Sequence, residues 1–109
     1  MSNSGSELAM TVTKEGRDTV LALAGDLDVY TATRLRERLV DLIGNTRINL
    51  VVDLAELVFV DSTGLGTLVD GMTRVRRAGG TMALRSPTPA VRRVLNITGL
   101  GRVLPVSDG

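Results

Sequence analysis

The chain has no cysteine and no histidine, and these two absences remove most catalytic chemistry at once. Without thiols there are no disulfides and no thiolate metal sites, as suits a reducing cytosol. Without imidazole there is no Ser–His pair, no histidine general base and no histidine zinc site. The only aromatic residues are Tyr30 and Phe59, too few for a base-stacking platform. A charge surplus is missing as well: 13 basic residues stand against 12 acidic ones, whereas nucleic-acid modules carry a marked basic excess. No apolar run approaches the roughly 20 residues of a membrane helix, and the polar start Met1 to Glu7 lacks a basic-then-apolar signal layout. Hydrolase, nucleic-acid and membrane readings therefore lose support, and a soluble cytoplasmic protein is expected.

What is present describes one globular unit, since 109 residues suffice for a single core without covalent staples. Residues 1–7 read as a flexible lead, 8–106 as the domain and 107–109 as a tail. Ala9 to Thr13 suits a short edge strand, Glu15 and Gly16 a turn, and Thr19 to Ala24 (TVLALA) a more buried strand ending in the loop Gly25 to Asp28. The first two strands thus form a hairpin. From Thr31 the period becomes helical: Ala32, Leu35, Leu39 and Leu42 make one stripe, closed near Gly44 and Asn45.

Ile48 to Leu54 holds Leu50, Val51 and Val52 without alternation, which suits a central strand covered on both faces and ended by Asp53. Leu57 to Val60 reads as buried strand leading into a helix from Ser62 to Ala78, which Gly79 and Gly80 end. Thr81 to Arg85 is a further short strand, and Thr88 can cap a helix begun by Pro89 and closed by Gly99. Val103 to Val106 reads as a last edge strand, interrupted by Pro105. The order β-β-α-β-α-β-α-β predicts an α/β fold with a mixed, mostly parallel sheet and right-handed crossover helices.

The stretch Asp61, Ser62, Thr63, Gly64, Leu65, Gly66 carries the most chemistry. Leu65, Leu68, Val69, Met72 and Val75 follow at spacings of three and four, so Ser62 sits at or beside a helix N-cap. The dipole there presents partial positive charge and tolerates an added phosphate. Asp26 and Asp28, Asp53, and Asp61 with Ser62 all fall at expected strand ends or helix starts, where sites gather in open α/β sheets. Each also has a plain structural reading. Ser62 can be no more than a cap, Asp26 and Asp28 can solvate a loop and cap the first helix, and Gly64 and Gly66 can serve close packing alone. Thr63 reads as a structural neighbour. Leu65, in the first helical turn, is expected to be partly exposed beside a docking surface. The arginines at 74, 76, 77, 92 and 93 read as solvated helix faces.

DSTGLG, GDLD at Gly25 to Asp28, VVDL at Val51 to Leu54 and ITGL at Ile97 to Leu100 together resemble an anti-sigma-factor antagonist, a single-domain protein of the STAS class. The likeness runs from about Leu8 to Val106. It implies a partner switch that is a substrate and not an enzyme. Ser62 becomes the acceptor for an anti-sigma factor that is also a serine kinase, and Asp28 lies close by and helps to engage that kinase. Asp26, Asp61, Thr63, Gly64, Leu65 and Gly66 belong to the same contact region. The unphosphorylated form binds the anti-sigma factor and frees the sigma factor; the phosphorylated form lets go, and a PP2C-type phosphatase resets it. The chain needs no cofactor of its own, because ATP and magnesium belong to the kinase. A monomer or weak dimer serving a stress or developmental (sporulation-type) circuit is implied.

Two rivals remain. A receiver-type phosphoacceptor would use Asp53, with Asp26 and Asp28 holding a metal ion, but no lysine stands in the last strand region, Arg102 to Val106. A STAS-like scaffold of a stress-sensing assembly, or a soluble subunit of a transporter, would not switch at all.

Overall fold

The computed structural model describes residues 7–108; the first six residues of the lead expected over 1–7 and the last residue of the expected tail lie outside them. The elements are β1 (Leu8–Glu15), β2 (Asp18–Leu27), α1 (Ala32–Ile43), β3 (Asn49–Val60), α2 (Ser62–Arg77), β4 (Thr81–Arg85), α3 (Pro89–Thr98), a 3-10 turn (Leu100–Arg102) and β5 (Val106–Ser107). The expected α/β order holds. The sheet runs β1-β2-β3-β4-β5, with β1 antiparallel to β2 and every other pair parallel.

That consecutive strand order has a geometric consequence. Each parallel crossover steps one strand in the same direction, so three right-handed connections put all three helices on one face. The rows of paired residues agree. Leu21, Val52 and Leu84 stand side by side and are fully buried, whereas the next row, Ala22, Asp53 and Arg85, is only partly buried. Val51 is partly exposed for the same reason, which corrects the expectation that this strand is covered on both faces. Its apolar run reflects β-branched preference at a half-buried position.

The core lies between the helical layer and one side of the sheet. Leu35, Leu39 and Ile43 of α1, Leu68, Met72 and Val75 of α2, and Val91 and Leu95 of α3 close over Leu21, Leu23, Leu50, Val52, Leu54 and Leu84. Thr88 caps α3 through the Val91 amide, Pro89 begins it, and Gly99 ends it in the left-handed conformation, all as the sequence predicts. The last strand differs: Val106–Ser107 replaces Val103–Val106, because the chain first makes the 3-10 turn that buries Leu104.

Two further boundaries move. β2 continues to Leu27, so most of the GDLD segment is strand and not loop. β3 is a single strand of 12 residues that absorbs the run Leu57 to Val60, and Asp53 lies in its interior. Against β2 its register slips twice, each time with an extra residue on β3, and these bulges turn Val58 and Phe59 outward while Leu57 and Val60 stay buried.

Candidate functional site

β2 and β3 end where α1 and α2 begin, with Asp26 beside Phe59 and Leu27 beside Val60. Asp26, Asp28, Asp61 and Ser62 therefore meet at one rim of the sheet, as expected. Asp53 does not join them. Its carboxylate bonds Arg85 at 2.9 Å and the Ala55 amide at 3.0 Å on the open face, and Arg85 also reaches Glu15 at 3.0 Å. Burial pushes the Asp53 carboxyl up, but the Ala55 amide and the Arg85 guanidinium outweigh it and hold it below the usual carboxylate range. The Glu15 and Asp53 carboxylates in turn raise the already high Arg85. A receiver-type site loses its acceptor to this ion pair, and among the described residues no acidic cluster could hold a metal ion.

One residue, Asp61, makes the passage from β3 to α2. Its backbone is extended, and one carboxylate oxygen accepts the Gly64 amide at 2.9 Å, an N-cap. The other oxygen accepts the Val29 amide at 3.2 Å, while the Asp61 amide donates to the Leu27 carbonyl at 3.1 Å. Asp61 is thus the cap. Ser62 occupies the first helical position, exposed and released from capping. The Gly64 amide goes to the Asp61 carboxylate and the Leu65 amide to the Asp61 carbonyl, which leaves the amides of Ser62 and Thr63 as the helix's orphan donors. An oxyanion on Ser62 would meet those donors and the positive end of the α2 dipole.

Asp28 is beside this corner but faces inward. It is 7% exposed, and its Oδ1 accepts the amides of Tyr30 and Thr31 at 2.9 and 3.1 Å. Thr31 answers by donating its hydroxyl to the Asp26 carbonyl at 2.8 Å and accepting the Asp28 amide at 3.0 Å. The loop is locked from both ends, and Asp61 ties it to α2 through Val29. The spacing Asp28-x-x-Thr31 was the available signal for this reciprocal bonding within the turn. These bonds of Asp28 shape the loop. Behind it, Gly25 has φ 110°, and a Cβ there would fall 2.3 Å from the Glu7 carbonyl oxygen, which is the close approach that GDLD needs a glycine for.

Gly64 and Leu65 are also inward. A Cβ on Gly64 would stand 2.6 Å from Leu27 Cγ and 2.7 Å from its carbonyl oxygen, so this glycine lets the first helical turn lie against β2. Leu65 is 3% exposed and belongs to the core, which overturns its expected partial exposure: the first turn is pressed down at Gly64, and the next side chain follows it inward. Gly66 is different. It is exposed, nothing lies within 4 Å of a Cβ built on it, and it faces outward one turn after Ser62, with Thr63 also exposed.

Sequence reasoning missed the apolar rim. Val29 is 57%, Tyr30 76%, Val58 68% and Phe59 49% exposed. They sit on the β2–α1 loop and the end of β3, on either side of the strand-to-helix corner. The signal was available: a chain with only two aromatic residues places both next to its acidic motifs, and neither joins the core.

Comparison with known proteins gives this arrangement a lineage. The STAS domain model matches residues 9–109. The anti-sigma-B factor antagonist of Bacillus subtilis is 34% identical over 96 residues, covering 88% of this chain and 87% of its own. Among solved structures, an anti-sigma factor antagonist from Mycobacterium paratuberculosis superposes with a TM-score of 0.85 at 24% identity, over 94% of this chain and 87% of that one. SpoIIAA in its unphosphorylated form gives 0.76 at 25% identity, over 92% and 89%. The phosphorylated form of that Bacillus cell-fate determinant gives 0.69 at 24%, over 92% of each. With the family's pattern running through nearly every described residue, and its fold matched from the first strand to the last, the chain belongs to the STAS domain family.

Proposed function

We propose that the protein is an anti-sigma factor antagonist that works by partner switching, with Ser62 as its phosphoacceptor. The observation that carries this reading is the exposed Ser62 hydroxyl, relieved of capping by Asp61 and bordered by the uncovered side chains of Val29, Tyr30, Val58 and Phe59. A serine needed only for local structure would hold the cap itself. The names of the relatives supply the partner class, an anti-sigma factor, and the solved forms of SpoIIAA supply a precedent for phosphorylation.

In this scheme the unmodified protein docks its rim on the anti-sigma factor, and the sigma factor is set free. The anti-sigma factor, also a serine kinase, brings ATP and magnesium. The Ser62 oxygen attacks the terminal phosphorus, the bond to ADP breaks, and the hydroxyl proton passes to a base of the kinase. The new group carries roughly −1.5 to −2 charge. Inside a packed interface that dianion must be paired or left desolvated, and a loss of about 3 kcal/mol lowers affinity by more than a hundredfold. A PP2C-type phosphatase removes the phosphate and restores docking. Asp28 and Asp26 hold the loop that presents Tyr30, while Gly66 leaves room for a partner backbone.

Incubation with candidate kinase-type anti-sigma factors and ATP, followed by mass spectrometry, tests partner and site together. A phosphate on Ser62, its loss in Ser62→Ala and constitutive binding by that variant are expected. Phosphorylation of Ser62→Ala at the wild-type rate would refute the assignment.

A further inference from the structure

The end of the sheet opposite Ser62 carries a cavity with a cationic lining. Here β2, β3 and β4 begin and α1 and α2 end, around a cavity of about 370 Å³ lined by Lys14, Arg17, Thr19, Arg47, Ile48 and Asn49. Three cationic side chains share this cavity, and none of them is in an ion pair among the described residues, where the pairs involve Arg36, Arg85 and Arg92. We propose that this cavity binds a small anion carrying more than one phosphate group.

Strand alternation creates the site by separating charges that lie close in sequence. Lys14 pairs with Thr19 and Glu15 with Asp18, so Lys14 and Thr19 share the helix-covered face while the two acids fall on the open one. Arg85 draws Glu15 further across that open face. Thr19 is 5% exposed, and its hydroxyl accepts Lys14 Nζ at 3.0 Å. The ammonium is thereby held at the cavity mouth with two donors left over. Arg17 stands in the tight hairpin turn, and Arg47 follows Thr46, whose amide and hydroxyl both bond the Ile43 carbonyl. Lys14 is therefore carried on strand β1, and Arg17 and Arg47 on short connections.

Guanidinium groups bind phosphate oxygens as a two-toothed fork, and an ammonium adds a point charge. Three of them around one opening match several phosphate oxygens better than a single carboxylate. The volume is that of a small-molecule site. Both aromatic residues lie at the other end of the molecule, so nucleic-acid bases would find nothing to stack on. Arg74 and Arg77, near the end of α2, have an ordinary explanation in the helix dipole; Lys14, Arg17 and Arg47 have none. The cavity of about 390 Å³ lined by Arg92 and Arg102 is a weaker candidate, because Arg92 is already paired with Asp108.

Sodium tripolyphosphate, titrated into the protein at low ionic strength, tests the proposal by calorimetry and backbone amide NMR. The expected result is saturable one-to-one binding, with shifts confined to residues 14–19 and 47–49. Arg17→Ala combined with Arg47→Ala, both exposed positions, should weaken binding by about tenfold or more, and Lys14→Met should weaken it separately. Arg102→Ala, at the other cavity, should leave it unchanged. Binding that never saturates, shifts spread over all arginine surfaces, equal affinity in the double variant, or tighter binding of a single-stranded oligonucleotide would each overturn the assignment.

Discussion

Replacing Asp61 isolates the structural work done at this corner. Asp61→Ala removes the acceptor of the Gly64 amide at 2.9 Å and of the Val29 amide at 3.2 Å. Loss of an N-cap costs about 1 kcal/mol, within a span of roughly 0.5–2. The Val29 amide belongs to an exposed residue and can turn to water, so its bond adds only about 0.5 kcal/mol. Together these give a loss near 1.5 kcal/mol, well below that of emptying a core position. With a urea slope of about 1.5 kcal/mol/M for a domain of this size, the unfolding midpoint falls by about 1 M at unchanged slope. Asp61→Ser keeps an acceptor for Gly64 but cannot reach Val29, so most of the loss returns. Equilibrium urea unfolding of the three proteins checks the series. An alanine variant as stable as the wild type would refute the capping assignment, and so would a serine variant as weak as alanine.

The two motif glycines should part company in thermal melts. Gly64→Ala drives a methyl group into the Leu27 backbone and should cost about 1–3 kcal/mol, whereas Gly66→Ala meets open space and should stabilise by roughly 0.5–1 kcal/mol while weakening anti-sigma factor binding. Tyr30→Ala and Phe59→Ala should each change stability by less than about 0.5 kcal/mol, yet lower anti-sigma factor affinity by more than about tenfold, as anchors of an interface do; calorimetric affinities unchanged by both would remove the apolar rim from the docking surface. For Asp53 the folded carboxyl lies below its ordinary value of 3.8, so its contribution is fully present above the unfolded value and fades as pH falls through the folded one. Unfolding curves of wild type and Asp53→Asn should therefore differ near neutrality and draw together below about pH 4.

The helices and their ends were largely legible in the sequence. Stripes such as Leu35 and Leu39 or Leu68, Met72 and Val75, with Thr88, Pro89 and Gly99 as punctuation, follow from local geometry alone, and the structure places them as read. The strands were harder, because their meaning depends on neighbours. Val51 looks like a core residue until the consecutive strand order shows that its face carries no helix. Val58 and Phe59 look buried until two bulges in β3 turn them outward. Asp53 was assigned to the end of a strand that in fact runs seven residues further, to Val60. At the site, the convergence of Asp26, Asp28, Asp61 and Ser62 was readable from the topology, but the division of labour was not. Whether Asp61 or Ser62 holds the cap, and whether Asp28 points out or in, is decided by hydrogen bonds across 32 positions of sequence, as between Val29 and Asp61.

On the proposed reading, that division of labour is what would let Ser62 act as a switch. If Ser62 were the cap, a phosphate on it would break the bond that starts α2, and modification would cost stability as well as binding. With Asp61 holding the Gly64 amide, a phosphate on Ser62 would be added to a position that the cap does not use. The helix end favours it by about 0.3–1 kcal/mol, and repulsion from the neighbouring carboxylate, about 1 kcal/mol per charge pair at ~4 Å in water, opposes it by roughly 1.5–2 kcal/mol for a charge of −1.5 to −2, so the net cost in the free protein is only about 1 kcal/mol. Across a docked interface the water is gone and the same charge is far more costly. On the proposed reading, a phosphate on Ser62 would therefore act on association and spare the fold.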